Sequence, residues 1–196
     1  MSPKPVFQTL ETLWAAMEPL GLPMAVMGGL ALSTWKHVRA TQDVDLLVGL
    51  VDSEPENIVR CVMDHGFRPK RTPPVSPLGP FQVLQLEFEP AESYVDVQVD
   101  LLLVDSEYHS RALERRVGVQ LPDVSSEVFV LTCEDLIIHK LLAGRVIDRA
   151  DSAALLRANR DALDMQYVGV WLSQLKLSGE FRKVWEEAFP GEAPPI

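Results

Sequence analysis

Phe7, Leu10, Leu13, Trp14, Met17 and Leu20 recur at three- and four-residue spacing, which predicts an amphipathic first helix ending near Gly21 and Pro23. A short apolar run, Met24 to Met27, reads as a strand, and Leu30 to His37 returns to helical spacing after Gly28-Gly29. Asp43 to Val48 reads as a strand entering a core. Ser53, with Pro55 in the first turn, predicts a capped helix running to about His65 and stopped by Gly66. Residues 69 to 80 contain Pro69, Pro73, Pro74, Pro77 and Pro80, a composition that predicts a loop, placed where it would make a candidate lid. Phe81 to Phe88 and Tyr94 to Val104 are strand-like and joined around Glu89-Pro90-Ala91, which predicts an antiparallel hairpin and a mixed sheet. Val128 to Leu131 is a further β-like run. Thr132 then caps a helix with Asp135 in a capping-box position, and the pattern stays helical to Phe189, with Gly144, Gly169 and Gly179 as expected breaks. The fold class is therefore α/β (α+β): a mixed β-sheet flanked by helices over 1–131, a C-terminal helical region over 132–190 and a tail over 191–196.

The polar positions within the strands carry the candidate chemistry. On a strand, alternate side chains share a face, so Asp43 and Asp45 project together with Cα atoms roughly 6.5 to 7 Å apart. Like charges this close repel unless a cation or proton compensates, which points to a divalent ion. In YVDVQVDLLLV, Asp96, Gln98 and Asp100 again share a face, and Val95, Val97, Val99 and Leu101 take the other. If this strand lies beside the Asp43 strand, Asp100 becomes a third ligand, with Asp96 as the alternative register. Three carboxylates around two oxygen-loving cations suit in-line phosphoryl or nucleotidyl transfer. Gly28-Gly29 lets backbone amides at a helix start approach a triphosphate closely.

Composition narrows the alternatives. In 196 residues, 47% hydrophobic and 23% charged, a core can be buried and a disordered chain is excluded. The net charge of −10 argues against extended DNA binding. Arg68, Lys70 and Arg71, or Arg111, Arg115 and Arg116, are local basic clusters suited to a nucleotide or part of an RNA. Cys61 and Cys133 lie far apart in helical segments, so no disulfide framework is expected, and His37, His65, His109 and His139 form no zinc pattern. With no membrane-length apolar run and no secretion-signal core, a cytoplasmic protein is expected.

The GG turn, the DxD strand and a third acidic residue on a later strand resemble the DNA polymerase β-like nucleotidyltransferase superfamily, within which GGLALSTWKHVRATQDVDLLV is similar to the GGxA…RxTxDxD signature of the AbiEii-type toxin and related bacterial nucleotidyltransferases. LTCEDLIIHKLLAGRVIDRADSAAL is similar to the helical motif of that group, matching at Lys140, Arg145, Asp148 and Asp151, with Ile147 standing where many relatives have a basic residue. The resemblance implies Mg²⁺-dependent (or Mn²⁺-dependent) transfer of a nucleoside monophosphate from an NTP such as ATP to a hydroxyl acceptor. Asp43, Asp45 and Asp100 would bind metal, Asp100 would also help deprotonate the acceptor, and Gly28 and Gly29 would hold phosphates. Arg39 and Thr41 would orient phosphate or carboxylates, and Lys140, with Arg145 and Asp148, would serve the triphosphate. The implied acceptor is tRNA or protein, with a toxin role and a cognate antitoxin partner. Aminoglycoside and lincosamide nucleotidyltransferases begin similarly and give a small-molecule alternative, for which Glu87, Glu89, Glu92 and Asp96 offer acidic residues. A nucleotide- or partner-binding module without turnover is the third reading.

Overall fold

The computed structural model describes residues 4–50, 53–79, 81–91 and 93–196, so Pro80 and Glu92, both invoked above, lie outside the described residues. The chain forms two compact units: Met1–Leu30 with Ala40–Val130, and Ala31–Arg39 with Leu131–Ile196. No helix among the described residues is long and apolar enough to cross a membrane.

The first unit is built on one mixed sheet of eight strands among the described residues. These are β1 (Met24–Val26), β2 (Asp43–Gly49), β3 (Arg68–Pro69), β4 (Val75–Leu78), β5 (Phe81–Phe88), β6 (Val97–Val104), β7 (Val117–Val119) and β8 (Val128–Val130). Their order is β3-β5-β6-β2-β1-β8-β7, with β4 also on β5. The centre is a parallel pair, β2 with β6, flanked by antiparallel β1–β2 and β5–β6. Alternation explains the burial: Val44, Leu46, Val97, Val99, Leu101 and Leu103 face one side and are almost wholly removed from water. Each such side chain contributes roughly 1.5 to 3 kcal/mol. Helix α1 (Lys4–Met17) packs on β2, on β6 and on helix α3 (Pro55–Asp64), and helix α4 (Glu107–Arg115) packs on β2. A single 3₁₀ turn, Glu18–Leu20, follows α1 and ends at left-handed Gly21, φ 65°.

The second unit is helical. It takes the end of helix α2 (Gly28–Thr34) and contains α5 (Cys133–Ala143), α6 (Val146–Asn159), α7 (Met165–Gln174) and α8 (Ser178–Ala188). Thr132 caps α5 by accepting from the Asp135 amide. Asp135 in turn accepts from the Thr132 hydroxyl at 2.7 Å and from the Tyr167 hydroxyl at 2.8 Å. Glu134 accepts from the Asp164 amide at 2.9 Å, so two buried acids at the start of α5 fix the start of α7. The thiol of Cys133 is pushed up to about 12 by burial, which leaves it an inert core group.

Several sequence expectations need correction. The proline-rich stretch is not all loop: β3 and β4 both pair antiparallel with β5. Both lie along the outer side of β5, and a strand at a sheet edge tolerates proline because its outward amide needs no ladder partner. The cap of α3 is Glu54 rather than Ser53, with no side-chain cap bond. Strand β6 starts at Val97, three residues later than expected. Gly169 and Gly179 lie inside α7 and α8; the breaks come at Arg160–Asp164 and at Leu175–Leu177, where Lys176 takes φ 59°. Helix α2 ends at Thr34, ahead of the expected His37, with Lys36 at φ 62°.

His109 in α4 gives the first unit a pH dependence. Its Nδ1 lies 2.6 Å from the Ser106 hydroxyl and its ring meets Phe81 and Tyr108 edge-on. Burial pushes its pKa down to about 4, opposed by the Asp105 charge. The folded value lies below the ordinary 6.5, so the stability it confers is complete above pH 6.5 and is lost as pH falls toward 4. Urea unfolding at pH 8 and pH 4.5 should show a loss of about 2.5 kcal/mol from this group. The pH-induced loss in His109→Gln should be smaller by that amount.

Candidate active site

The site is assembled where β1, β2 and β6 lie side by side. The Met27 amide donates to the Asp45 carbonyl at 2.9 Å, continuing the β1–β2 ladder one residue past β1 and fixing Gly28 beside Asp45. Gly28 has φ 61°, and a Cβ there would come within 1.8 Å of the Asp45 carboxylate. A Cβ on Gly29 would lie 2.6 Å from the Thr41 hydroxyl oxygen. The two glycines are required first by this contact between backbone, Asp45 and Thr41, before any ligand is considered.

The register decides which acids meet. Asp45 pairs with Asp100 and Asp43 pairs with Gln98 across the parallel β2–β6 ladder. Paired residues on neighbouring strands share a face about 4.8 Å apart, so Asp43, Asp45 and Asp100 occupy one face. Asp96 falls outside β6 and is ion-paired to Arg68 at 2.6 Å. Asp43 accepts from the Thr41 hydroxyl. Asp100 accepts from the Gln85 amide at 3.1 Å, Gln85 being its register partner on β5. Among the described residues neither Asp43 nor Asp100 is ion-paired to lysine or arginine.

In chemistry and backbone position, three carboxylates on one face fit a hard divalent cation such as Mg²⁺. As the side chains stand, no group of three or more His, Cys, Asp or Glu among the described residues is gathered closely enough to hold a metal ion. Mutual repulsion favours rotamers that separate the acids, and Asp43 and Asp100 turn to different donors, Thr41 and Gln85.

The residues of the second motif form a buried ionic cluster in the second unit. Lys140, 5% exposed, donates to Asp148 at 2.9 Å and to Asp151 at 2.8 Å. Arg145 caps α6 and approaches Asp148 at 2.6 Å. Asp151 also meets His37 at 3.1 Å and Arg39 at 3.3 Å. Burial raises the Asp148 pKa, but hydrogen bonds from Arg145 and Lys140 outweigh it and hold the carboxyl below the usual range. Left-handed Gly144 ends α5, so Asp148 and Asp151 belong to α6 and the cluster joins two helices. Among the basic clusters, Arg68 and Lys70 face Asp96 and Glu87, Arg111 pairs with Glu114, and Arg116 lies over the Phe129 ring.

Sequence reasoning missed Gln85 as the partner of Asp100, and His37 as a partner of Asp151. The alternation in FQVLQLEF, which sets Gln85 and Glu87 among buried Leu84 and Leu86, was the available signal for the first. Replacing Lys140 by methionine should cost about 3 to 5 kcal/mol in urea unfolding, because it strands two buried carboxylates. Adding Asp148→Asn and Asp151→Asn should recover part of that loss.

No protein-family profile and no curated protein sequence matches the chain. Solved structures do. An antigenic nucleotidyltransferase-like protein from Paracoccidioides brasiliensis aligns with TM-score 0.51 and 15% identity over 91% of each chain. The solution structure of the antibiotic-resistance factor ANT(2'')-Ia aligns with TM-score 0.52 and 16% identity over 93% of this chain and 94% of that one. Its crystal structure with adenylyl-2''-tobramycin gives TM-score 0.52 and 15% identity over 92% and 98%. At such identities the likeness establishes architecture, and the architecture of this chain is that of the nucleotidyltransferase-like proteins.

Proposed function

We propose that the protein is a divalent-metal-dependent nucleotidyltransferase that moves a nucleoside monophosphate from an NTP such as ATP to a hydroxyl acceptor. The observation that carries this reading is the β2–β6 register, which sets Asp45 next to Asp100, with Asp43 two residues along and Gly28 against Asp45. Gly28 and Gly29 offer backbone amides to the phosphates. Asp43, Asp45 and Asp100 would hold Mg²⁺, or Mn²⁺ in its place, which would supply positive charge against that of the triphosphate. Thr41 orients Asp43 through its hydroxyl. The acceptor oxygen forms a bond to the α-phosphorus as the bond to pyrophosphate breaks, and Asp100 takes the acceptor proton. The resemblance extends the reading to Arg39, Lys140, Arg145 and Asp148, whose ion pairs supply a structural reason of their own. It also supports tRNA or protein as acceptor and a toxin role with an antitoxin partner. The fold shared with ANT(2'')-Ia, solved with an adenylylated aminoglycoside, favours a small-molecule acceptor as second reading. An NTP donor supports a cytoplasmic site of action.

Calorimetric titration with each NTP in Mg²⁺ should show binding that chelation abolishes and Asp43→Asn removes. Pyrophosphate release with labelled NTP should fall about a hundredfold or more in Asp45→Asn and Asp100→Asn. Metal-independent NTP binding, or pyrophosphate release unaffected by these changes, would end the proposal.

A further inference from the structure

Asp100 stands between two strands that act on it in opposite ways. On one side β2 sets Asp45 beside it, a like charge that drives the carboxylate away. On the other side β5 sets Gln85 beside it, whose Nε2 donates to Oδ1 at 3.1 Å. The glutamine must present its NH₂ group, because an ionised carboxylate only accepts and the carbonyl end would repel it. Gln85 is held on both flanks of its backbone: it pairs with Asp100 on β6, and its carbonyl accepts from the Lys70 amide at 2.9 Å. Its chain neighbours Leu84 and Leu86 are wholly buried on the opposite face, so Gln85 cannot change face without exposing them. Lys70 turns its ammonium to Glu87, 3.6 Å away, and the donor that reaches Asp100 is the neutral one.

We propose that Gln85 is a positioning residue of the transfer site: it pins Oδ1 of Asp100 and so reserves Oδ2 for the divalent cation and the acceptor proton. The inference rests on the transferase reading above. An ionised carboxylate offers about four lone-pair sites, shared between its two oxygens. Gln85 takes one on Oδ1 and leaves those on Oδ2 to the cation and the proton. The torsion that turns an aspartate carboxylate is broad and roughly twofold. Without a donor on the β5 side, repulsion from Asp45 would turn the group aside and either oxygen could face the site. A lysine or arginine at position 85 would also pin Asp100, but it would cancel the charge that a cation requires. A glutamate there would repel it. Glutamine donates without bringing charge, which fixes the carboxylate and keeps it negative.

The test uses the full chain. Gln85→Met keeps the length of the side chain and removes the donor. It should unfold in urea close to the wild-type midpoint and weaken Mn²⁺ binding about tenfold in electron paramagnetic resonance titration without nucleotide. Its kcat for pyrophosphate release should fall about tenfold while KM for NTP changes less than twofold. Gln85→Lys restores a donor but adds charge, and should weaken Mn²⁺ binding more than Gln85→Met does. In NMR, Mg²⁺ added without nucleotide should shift the Gln85 side-chain amide in wild type and shift it less in Asp100→Asn. Wild-type Mn²⁺ affinity and kcat in Gln85→Met, losses there matched by a lowered urea midpoint, or a rise in KM for NTP as large as the fall in kcat would overturn the positioning role. So would wild-type Mn²⁺ affinity in Gln85→Lys, or an amide that shifts equally in Asp100→Asn. A wild-type protein that binds no Mn²⁺ and no NTP in Mg²⁺ would instead overturn the transferase reading itself.

Discussion

The pairing of β2 with β6 is the constraint on which the rest depends. Two parallel strands cannot be joined by a tight turn, so residues 50 to 96 must leave the sheet, form α3, and return through β3, β4 and β5 before β6 can start. That detour makes β5 the outer neighbour of β6 and fixes which side chains flank the acids. A slip of one residue in β6 would send Asp100 into the core and expose Val99 or Leu101. The apolar alternation of β6 therefore holds the carboxylate in place as firmly as any hydrogen bond does.

Electrostatics in the two units follows opposite rules. In the first, Asp43 and Asp100 share one face of the sheet, have no lysine or arginine partner among the described residues, and are held by neutral donors, Thr41 and Gln85. A neutral donor orients a carboxylate while leaving its charge available to a cation. In the second, Asp148 and Asp151 are buried and are met by Lys140, Arg145, Arg39 and His37. Such a cluster contributes little net stability when complete but makes any single loss severe.

Much of this was legible in the chain, and the reasons for the rest are physical. Gly28-Gly29, the Asp43–Asp45 spacing and the alternation through Asp100 are local features, and local patterns survive in sequence. Whether Asp96 or Asp100 sits beside Asp45 depends on long-range register, which no single strand contains. Gln85 was overlooked for the same reason, since its partner lies on another strand. The proline-rich stretch misled because proline disfavours central strands, whereas β3 and β4 lie along the outer side of β5. Lys140 stands on α5 and its partners Asp148 and Asp151 on α6, so their ion pairs depend on how two helices meet, which no single helical pattern contains.

Those same proline-bearing segments affect what the sheet can do in a concentrated solution. One margin of the sheet is finished by β3 and β4, two and four residues long and containing Pro69 and Pro77, and the other by three-residue β7 with Gly118 at its centre. Neither offers a long, regular row of unpaired amides and carbonyls, so neither is a good template for a strand of another molecule. The protein can leave a polar sheet face open to water without inviting fibrillar stacking.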